Sequence, residues 1–244
     1  MTWVKICGMT NLEDALVAVE AGADAVGFVF YAKSPRNISV EAAREIVEKL
    51  PEGVEKVGVF VGGVPEDIAT LCKESSLTVA QIYPRAPFAM NDEFLRRLQC
   101  RVIPAISTRA MDEREISGFR VSNGVRNQVV AALLDSGNSE VPGGTGKTPD
   151  WEMVLRLTER IGLRVVLAGG LTAQNIEEAV GKVKPWGVDV SSGVEARPGK
   201  KDPEKVRGFV RAVREMDRKL STEGPGFARG QQIPHRFAAR NDKG

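Results

Sequence analysis

Histidine is almost absent from this chain of 244 residues: its single histidine, His235, lies in a segment that also contains glycine and proline. A histidine-based zinc site and a Ser-His-Asp triad therefore cannot be assembled from the rest of the sequence. Cysteine is also scarce, with only Cys7, Cys72 and Cys100. An odd number of cysteines without paired spacing argues against a disulfide framework and a CxxC metal site. It predicts a protein of a reducing compartment that binds no metal.

Long hydrophobic runs are also missing. The longest purely apolar run covers residues 129–134, far short of the roughly 20 residues that span a bilayer. The first residues show no basic segment followed by an apolar stretch, so we expect a cytoplasmic protein. Basic and acidic residues nearly balance, 34 against 32, and the excess lies in residues 221–244. A neutral body predicts neither nucleic acid nor a membrane as partner.

Apolar runs of strand length alternate with helical patterns along the chain. The predicted strands are residues 4–7, 25–30, 56–61, 78–83, 101–106, 128–134, 164–168 and 187–190. The predicted helices are residues 11–21, 40–50, 66–74, 91–98, 150–161, 173–180 and 203–219. Strands rich in Val and Ile, each followed by a crossover, are typical of parallel pairing. Eight such units predict an α/β fold, a single (β/α)₈ TIM barrel with a closed eight-stranded parallel sheet; an open doubly wound sheet is the alternative.

The domain organisation is simple. No linker divides residues 1–220, which we expect to form one barrel domain. The pattern ends after Lys219, so residues 221–244 are expected to be a poorly ordered tail. In a barrel of this kind the C-terminal ends of all strands meet at one face, where residues far apart in sequence come together.

Cys7 ends the first predicted strand and is followed by a helix-start signal. Thr10 and Glu13 have the spacing of a capping box, which predicts that the helix begins near Asn11 and that Cys7 lies in the preceding turn. Because α/β folds carry chemistry in such turns, the thiol is a candidate reactive group. A buried structural cysteine is the alternative, since free cysteine is among the most buried residue types.

Two further strand ends carry candidate groups. Arg36 follows the second strand, and its planar guanidinium suits a carboxylate or a phosphate; a solvated surface arginine is the alternative. Asp135 directly follows the apolar end of the sixth strand and is a candidate acid or base. A role as helix cap or turn residue is its alternative.

Glycine-rich turns follow three strands, at residues 143–146, 169–170 and 191–193. Such turns let backbone N–H groups approach an anion, and barrels often hold phosphate in the loops after strands seven and eight. Residues 146–148 resemble the end of a P-loop, but that motif needs glycine where Val141 stands. A nucleoside triphosphatase is therefore a minor alternative.

Two charged residues are predicted to meet inside the barrel. Lys5 lies on the same side of strand one as Cys7, and Asp189 lies at the corresponding height of strand eight. The two strands are neighbours if the barrel closes. Because neither charge tolerates burial alone, we predict an interior ion pair between Lys5 and Asp189.

Seven motifs at or near the strand ends run in order through the chain. They are KICGMT at 5–10, GFVFYAKSPRNI at 27–38, VGVFV at 57–61, LLDS at 133–136, GGTGK at 143–147, LAGGLTAQN at 167–175 and VDVSSGVEARPGKKD at 188–202. Together they resemble the motifs of phosphoribosylanthranilate isomerase, a family of tryptophan biosynthesis. The resemblance implies a (β/α)₈ catalytic domain over residues 1–220. The implied reaction is the cofactor-free Amadori rearrangement of N-(5-phosphoribosyl)anthranilate to 1-(2-carboxyphenylamino)-1-deoxyribulose 5-phosphate.

The resemblance also implies roles for individual residues. It places the family's general base on Cys7, its general acid on Asp135, and Arg36 on the residue that engages the anthranilate carboxylate. Further substrate-binding positions fall on Gln81, Gly144, Gly146, Gly170, Ser192 and Gly193. The implied partner is a small phosphorylated substrate, without metal or cofactor, and we expect a monomer or a homodimer.

The chain departs from the family pattern after strand four. The family usually reads like VQLHG there, whereas this chain has Val79-Ala80-Gln81-Ile82-Tyr83-Pro84. Tyr83 thus replaces an imidazole, and Pro84 replaces a glycine. Two alternative functions remain: the related aminoaldose isomerisation of histidine biosynthesis, for which an acidic residue is expected in place of Cys7, and a binding protein without catalysis.

Overall fold

The computed structural model describes residues 1–84, 91–107, 122–135 and 151–222. The strands are β1 (Trp3–Cys7), β2 (Ala25–Phe30), β3 (Glu55–Val61), β4 (Val79–Tyr83), β5 (Arg101–Ser107), β6 (Ala132–Asp135), β7 (Val165–Ala168), β8 (Gly187–Val190), β9 (Glu195–Arg197) and β10 (Lys200–Lys201). The α-helices are α1 (Leu12–Glu20), α2 (Val40–Val47), α3 (Pro65–Glu74), α4 (Asp92–Leu98), α5 (Trp151–Ile161), α6 (Ile176–Val183) and α7 (Pro203–Thr222).

Strands β1 to β8 close into a parallel barrel in which each strand pairs with its neighbours in sequence and β8 pairs with β1. This confirms the predicted closed (β/α)₈ barrel and excludes the open doubly wound sheet. In the closing pair, Lys5 lies opposite Asp189. Strands β9 and β10 form a separate antiparallel pair directly after β8. Because all eight barrel strands run the same way, their C-terminal ends share one face.

Apolar side chains form one layer inside the barrel and another between the strands and the helices. The inner layer contains Ala25, Val57, Val79, Ile103, Ala105, Ala131, Leu133, Val166 and Ala168. The outer layer is larger and includes Ile6 and Phe28, both fully buried. Since successive residues of a strand face opposite sides, an outward Ile6 puts its neighbours Lys5 and Cys7 inside the barrel.

The N-terminal face of the barrel carries a pair of stacked indoles. Trp3 begins β1 and Trp186 immediately precedes β8, and their ring centroids lie 5.2 Å apart with the planes 20° from parallel. The guanidinium of Arg164 lies 5.2 Å from the centroid of the Trp186 ring, a cation–π distance. Residues from both ends of the barrel sequence therefore pack together at this face.

The beginning of the chain is also fixed to the last helix. The backbone N–H of Thr2 donates to both carboxylate oxygens of Asp217, at 3.0 and 2.8 Å, and the Thr2 hydroxyl donates to Asp217 Oδ1 at 2.8 Å. Both residues are buried. These bonds join the start of β1 to α7 across the seam where the barrel closes.

The start of α1 differs from the predicted capping box. Asn11 is the N-cap, and its side-chain oxygen accepts from the backbone N–H of Asp14 at 2.9 Å. The Thr10 hydroxyl instead donates to the carbonyl of Gly199. The predicted capping box of Thr10 with Glu13 was therefore wrong by one residue, because a tertiary contact occupies the threonine.

The sixth strand is shorter than predicted and begins at Ala132 instead of residue 128. Arg126–Gln128 form a turn of 3₁₀ helix, and Val129 makes only an isolated bridge to Val102. Continuous pairing with β5 starts at Leu133, opposite Ala105. The other barrel strands match their predicted bounds to within one residue, and the helices to within three.

Helix α7 extends to Thr222, two residues past the predicted end of the domain, and the rest of the predicted tail, residues 223–244, lies outside the described residues. In the described part of the chain, no helix combines the length and the apolar character needed to cross a bilayer.

Replacing Asp217 with alanine tests the connection between β1 and α7. Asp217→Ala removes three hydrogen bonds and leaves the buried Thr2 donors unpaired, so the free energy of unfolding should fall by about 3 kcal/mol. Urea denaturation measures this value. Glu215→Ala, on the exposed side of the same helix, is the matched control. Equal midpoints for the two variants would contradict the assigned role of Asp217.

Candidate active site

A cavity opens at the C-terminal ends of the strands and brings most of the predicted site residues together. Those that line it are Cys7, Arg36, Gln81, Asp135, Gly170, Ser192 and Gly193. The other two predicted positions, Gly144 and Gly146, lie outside the described residues. The walls also include Tyr83 and Asp189.

Cys7 lies at the end of β1 and is 7 % exposed. Its side chain packs with Val29 and Val59. Burial raises the pKa of the Cys7 thiol, and the positive charge of Lys5 is the main influence in the opposite direction. The cysteine is therefore buried, as its structural alternative requires, yet it also faces the cavity as a reactive group must.

The predicted interior ion pair is confirmed. Lys5 Nζ lies 2.9 Å from Asp189 Oδ1, and the Lys5 side chain is completely buried. The pair lies beneath the cavity, between the first and the last strand. Its carboxylate partner allows the Lys5 charge to remain inside the barrel.

Asp135 ends β6 and is 2 % exposed. The Tyr83 hydroxyl donates to Asp135 Oδ2 at 2.8 Å, and Gln81 Nε2 lies 3.5 Å from the same hydroxyl. Burial, followed by the charge of Asp135, raises the pKa of Tyr83 well above its ordinary value. The phenol thus remains a hydrogen-bond donor to Asp135 at neutral pH.

Gln81 supplies a second polar group to the same wall. It is 1 % exposed, and its Oε1 accepts no hydrogen bond within the ranges that the structure describes. A buried amide oxygen that lines a cavity is available to a donor on a bound molecule.

Arg36 is buried, unlike a solvated surface arginine, and lines the cavity from the loop after β2. Its Nε and Nη2 donate to the two carboxylate oxygens of Glu195, each at 2.8 Å. Burial opposes the charged form, but the Glu195 carboxylate outweighs it and raises the pKa of Arg36. These two hydrogen bonds fix the plane of the guanidinium group. Among the described residues, Arg36 Nη1 has no hydrogen-bond partner.

Glu195 and Lys201 are site-supporting residues that sequence reasoning missed. Lys201 Nζ donates to Glu195 Oε1 at 2.9 Å and to the Ser191 carbonyl at 3.2 Å. Burial alone would raise the pKa of Glu195, but Arg36 and Lys201 together lower it. Both residues belong to the motif at 188–202, yet nothing in their spacing shows that β9 and β10 fold this carboxylate onto Arg36.

The loops after β7 and β8 come together on one side of the cavity. A Cβ atom on Gly193 would lie 1.9 Å from the Leu171 carbonyl oxygen, so only glycine permits this approach. Gly170 and Ser192 line the cavity from these two loops. This is the region in which barrels of this kind bind phosphate.

Metal ligands are not grouped in the described ranges: no cluster of three or more His, Cys, Asp or Glu residues there could hold an ion. Several groups that line the cavity suit proton transfer and anion binding, among them a thiol, carboxyl groups, a guanidinium and two glycine-containing loops.

The family model of N-(5′-phosphoribosyl)anthranilate (PRA) isomerase matches residues 4–212. The chain belongs to this family. The PRA isomerase of Trichlorobacter lovleyi is 43% identical over 216 residues, which cover 88% of this chain and 99% of that protein. The crystal structure of the PRA isomerase of Thermotoga maritima has a TM-score of 0.75 at 42% identity, covering 88% of this chain and 100% of that one.

A second solved PRA isomerase contains reduced 1-(o-carboxyphenylamino)-1-deoxyribulose 5-phosphate. It has a TM-score of 0.72 at 40% identity and covers 88% of this chain and 100% of that one. The resemblance drawn from the seven motifs is therefore confirmed over the barrel.

The pairing of Glu195 with two cations predicts a pH-dependent stability. Because the pKa of Glu195 is lower in the folded protein, its contribution is complete above the ordinary value of 4.5 and is lost as the pH falls through the folded pKa. Glu195→Gln should lower the free energy of unfolding by about 3 to 5 kcal/mol at neutral pH. Its stability should also change less than that of the wild type in acid.

Urea denaturation over a series of pH values measures both effects. Glu204→Gln is the matched control, because the Glu204 side chain is 83% exposed. An unchanged acid dependence in Glu195→Gln would show that Glu195 does not hold Arg36 and Lys201 as an ion.

Proposed function

We propose that Cys7 and Asp135 carry the two proton transfers of PRA isomerisation, the reaction of the family to which this chain belongs. The reaction is an Amadori rearrangement in tryptophan biosynthesis. The observation that carries the assignment is the presence of Cys7, Asp135 and Arg36 in one cavity of a family member.

Asp135 acts first, as the general acid. Its proton passes to the ring oxygen of the ribose, the bond between that oxygen and C1′ breaks, and the nitrogen lone pair forms the C1′=N bond of an iminium ion. This step needs a carboxyl group that is held close to the substrate. The buried position of Asp135 places it at the cavity, and the bond from the Tyr83 hydroxyl fixes the orientation of its carboxyl group.

Cys7 acts next, as the general base. Its thiolate takes the proton from C2′, so an S–H bond forms while the electron pair of the C2′–H bond becomes the C1′=C2′ bond of an enolamine. The electrons of the C1′=N bond return to nitrogen. Loss of the C2′ hydroxyl proton and protonation of C1′ then give the ketose product. Proton exchange with water returns Asp135 to its acid form and Cys7 to its thiolate. Because the iminium nitrogen accepts the electron pair, neither step needs a metal or an organic cofactor.

Arg36 and the two glycine-containing loops position the substrate. Arg36 binds the anthranilate carboxylate with the part of its guanidinium that Glu195 leaves available. Gly170, Ser192 and Gly193 lie where the phosphate is bound. The related structure with a reduced product analogue supports this arrangement, because that ligand carries both a carboxyphenyl group and a phosphate.

Three further properties belong to this proposal. The partner is a small phosphorylated substrate, the enzyme acts as a monomer or a homodimer, and it works in the cytoplasm. A solved PRA isomerase of Thermotoga maritima consists of monomers generated from a dimeric enzyme, which supports the homodimer.

Substitution of the proposed base and acid tests the assignment. Cys7→Ser and Asp135→Asn should each lower kcat by at least about 100-fold, because each loses one positioned proton-transfer group. The fluorescence of freshly made phosphoribosylanthranilate, followed over time, measures turnover. Cys100→Ser, a half-buried cysteine outside the cavity, is the matched control. Wild-type turnover in either site variant would overturn the role of that residue.

The tyrosine that replaces the family's histidine generates a separate prediction. Tyr83→Phe keeps the ring but removes the donor to Asp135, so kcat should fall by about tenfold, the effect of one hydrogen bond. Tyr83→His restores a donor and should preserve more activity than phenylalanine. In an Asp135→Asn background, Tyr83→Phe should change nothing further. Full activity of Tyr83→Phe would mean that the contact does not orient Asp135.

A further inference from the structure

Lys5 lies inside the barrel directly below Cys7. The two residues are two positions apart on β1 and therefore face the same way. Lys5 is 0 % exposed, and it is one of the largest fully buried side chains in the described part of the protein. Burial of a charged ammonium group lowers the stability of the fold unless the charge is paired and hydrogen-bonded.

Glycine on the neighbouring strand makes room for both side chains. Gly27 lies opposite Cys7 in the pairing of β1 with β2. A Cβ atom at Gly27 would lie 2.8 Å from Cys7 Sγ and 3.1 Å from Lys5 Nζ. The sulfur and the ammonium group thus lie side by side above Gly27.

The ammonium group of Lys5 remains charged in this position. Burial favours the neutral amine, but Asp189 and then Cys7 favour the charged form and raise the pKa of Lys5 above its ordinary value. One of its N–H groups donates a hydrogen bond to Asp189 Oδ1, with the nitrogen and oxygen 2.9 Å apart. Because an ammonium group has three N–H donors, another remains for the sulfur.

We infer that Lys5 is a positioning residue for the proposed base: its ammonium group, anchored by Asp189, holds Cys7 Sγ and stabilises the thiolate that receives the C2′ proton. This inference rests on the proposed role of Cys7 and adds a cause for its basic form. Burial favours the neutral thiol and keeps the pKa of Cys7 above its ordinary value, and among the surrounding charges Lys5 offsets this effect most strongly.

Other ionisable groups surround the same sulfur from the elements packed around it. They are Asp189 of β8, Lys201 of β10, Arg36 of the loop after β2, and Tyr83 of β4, while Asp135 of β6 lines the same cavity. Arg36 and Lys201 already share Glu195. Lys5 differs from those two cations because it does not share Glu195 and because its charge favours the thiolate most strongly.

Alkylation of Cys7 by iodoacetamide tests the inference without any need for catalysis, because only the thiolate reacts at an appreciable rate. The rate is measured across a pH series by mass spectrometry of the peptide that contains Cys7. The variants are Lys5→Met, Asp189→Asn, the double variant Lys5→Met/Asp189→Asn, in which no buried carboxylate is left unpaired, and Lys56→Met. Lys56 is also buried, but its Nζ donates to the Pro51 carbonyl, so it is the matched control.

Lys5→Met should move the alkylation midpoint to higher pH by about one unit, which corresponds to about tenfold slower reaction at neutral pH. Because the Asp189 charge itself raises the pKa of Cys7, the double variant is compared with Asp189→Asn and should have the higher midpoint of the two, while Lys56→Met should match the wild type. An unshifted midpoint in Lys5→Met would overturn the inference. Equal midpoints in the double variant and in Asp189→Asn would also overturn it, because Lys5 would then act only as the partner of Asp189.

The pH profile of kcat/KM gives the second readout. Since the thiolate is the active form, Lys5→Met should move the acid limb of the kcat/KM profile to higher pH. Part of the activity that this variant loses at neutral pH should therefore return at higher pH. An equal loss at every pH would show a structural role and overturn the inference. A wild-type protein with a Lys5-dependent alkylation midpoint but no isomerase activity would instead contradict the proposed function alone.

Discussion

The hydrogen-bonded pairing of β1 with β8 is the interaction on which the site depends, because these strands lie at opposite ends of the barrel sequence. Their register sets Lys5 against Asp189 and brings the residues just beyond them to the edge of the cavity. There the Ser191 hydroxyl donates to the Cys7 carbonyl at 3.1 Å. The thiol, its charged neighbours and the loop after β8 therefore lie together where β1 meets β8, and a shift of register would separate all three.

Much of the fold could be predicted from the sequence, because apolar runs of strand length and the helical segments between them are visible in short stretches of the chain. Seven of the eight barrel strands were placed to within one residue on this basis. The errors occurred where tertiary contacts decide between local options. Thr10 and Asn11 are both good caps, and only the contact of Thr10 with Gly199 leaves the role to Asn11. Val129 is as apolar as its neighbours, but continuous pairing starts later.

The candidate site divides in the same way. Cys7, Arg36 and Asp135 were predicted because the ends of parallel strands must converge, so position along the chain implies position in the cavity. Glu195 was not predicted. The pairing of β9 with β10 places its carboxylate against Arg36, and such short strands leave no periodic pattern in the sequence. At Tyr83 the sequence revealed a changed residue type. Its bond to Asp135 could be known only from the structure.

The stacked pair of Trp3 and Trp186 at the opposite face has a spectroscopic consequence. Two indoles held in one stacked arrangement, with centroids 5.2 Å apart, contribute to the near-ultraviolet circular dichroism that reports fixed tertiary packing. The two residues are neighbours only when the first and last strands meet. The natural chain thus carries its own optical reporter of barrel closure, which separates that event from the loss of helical structure without an added label.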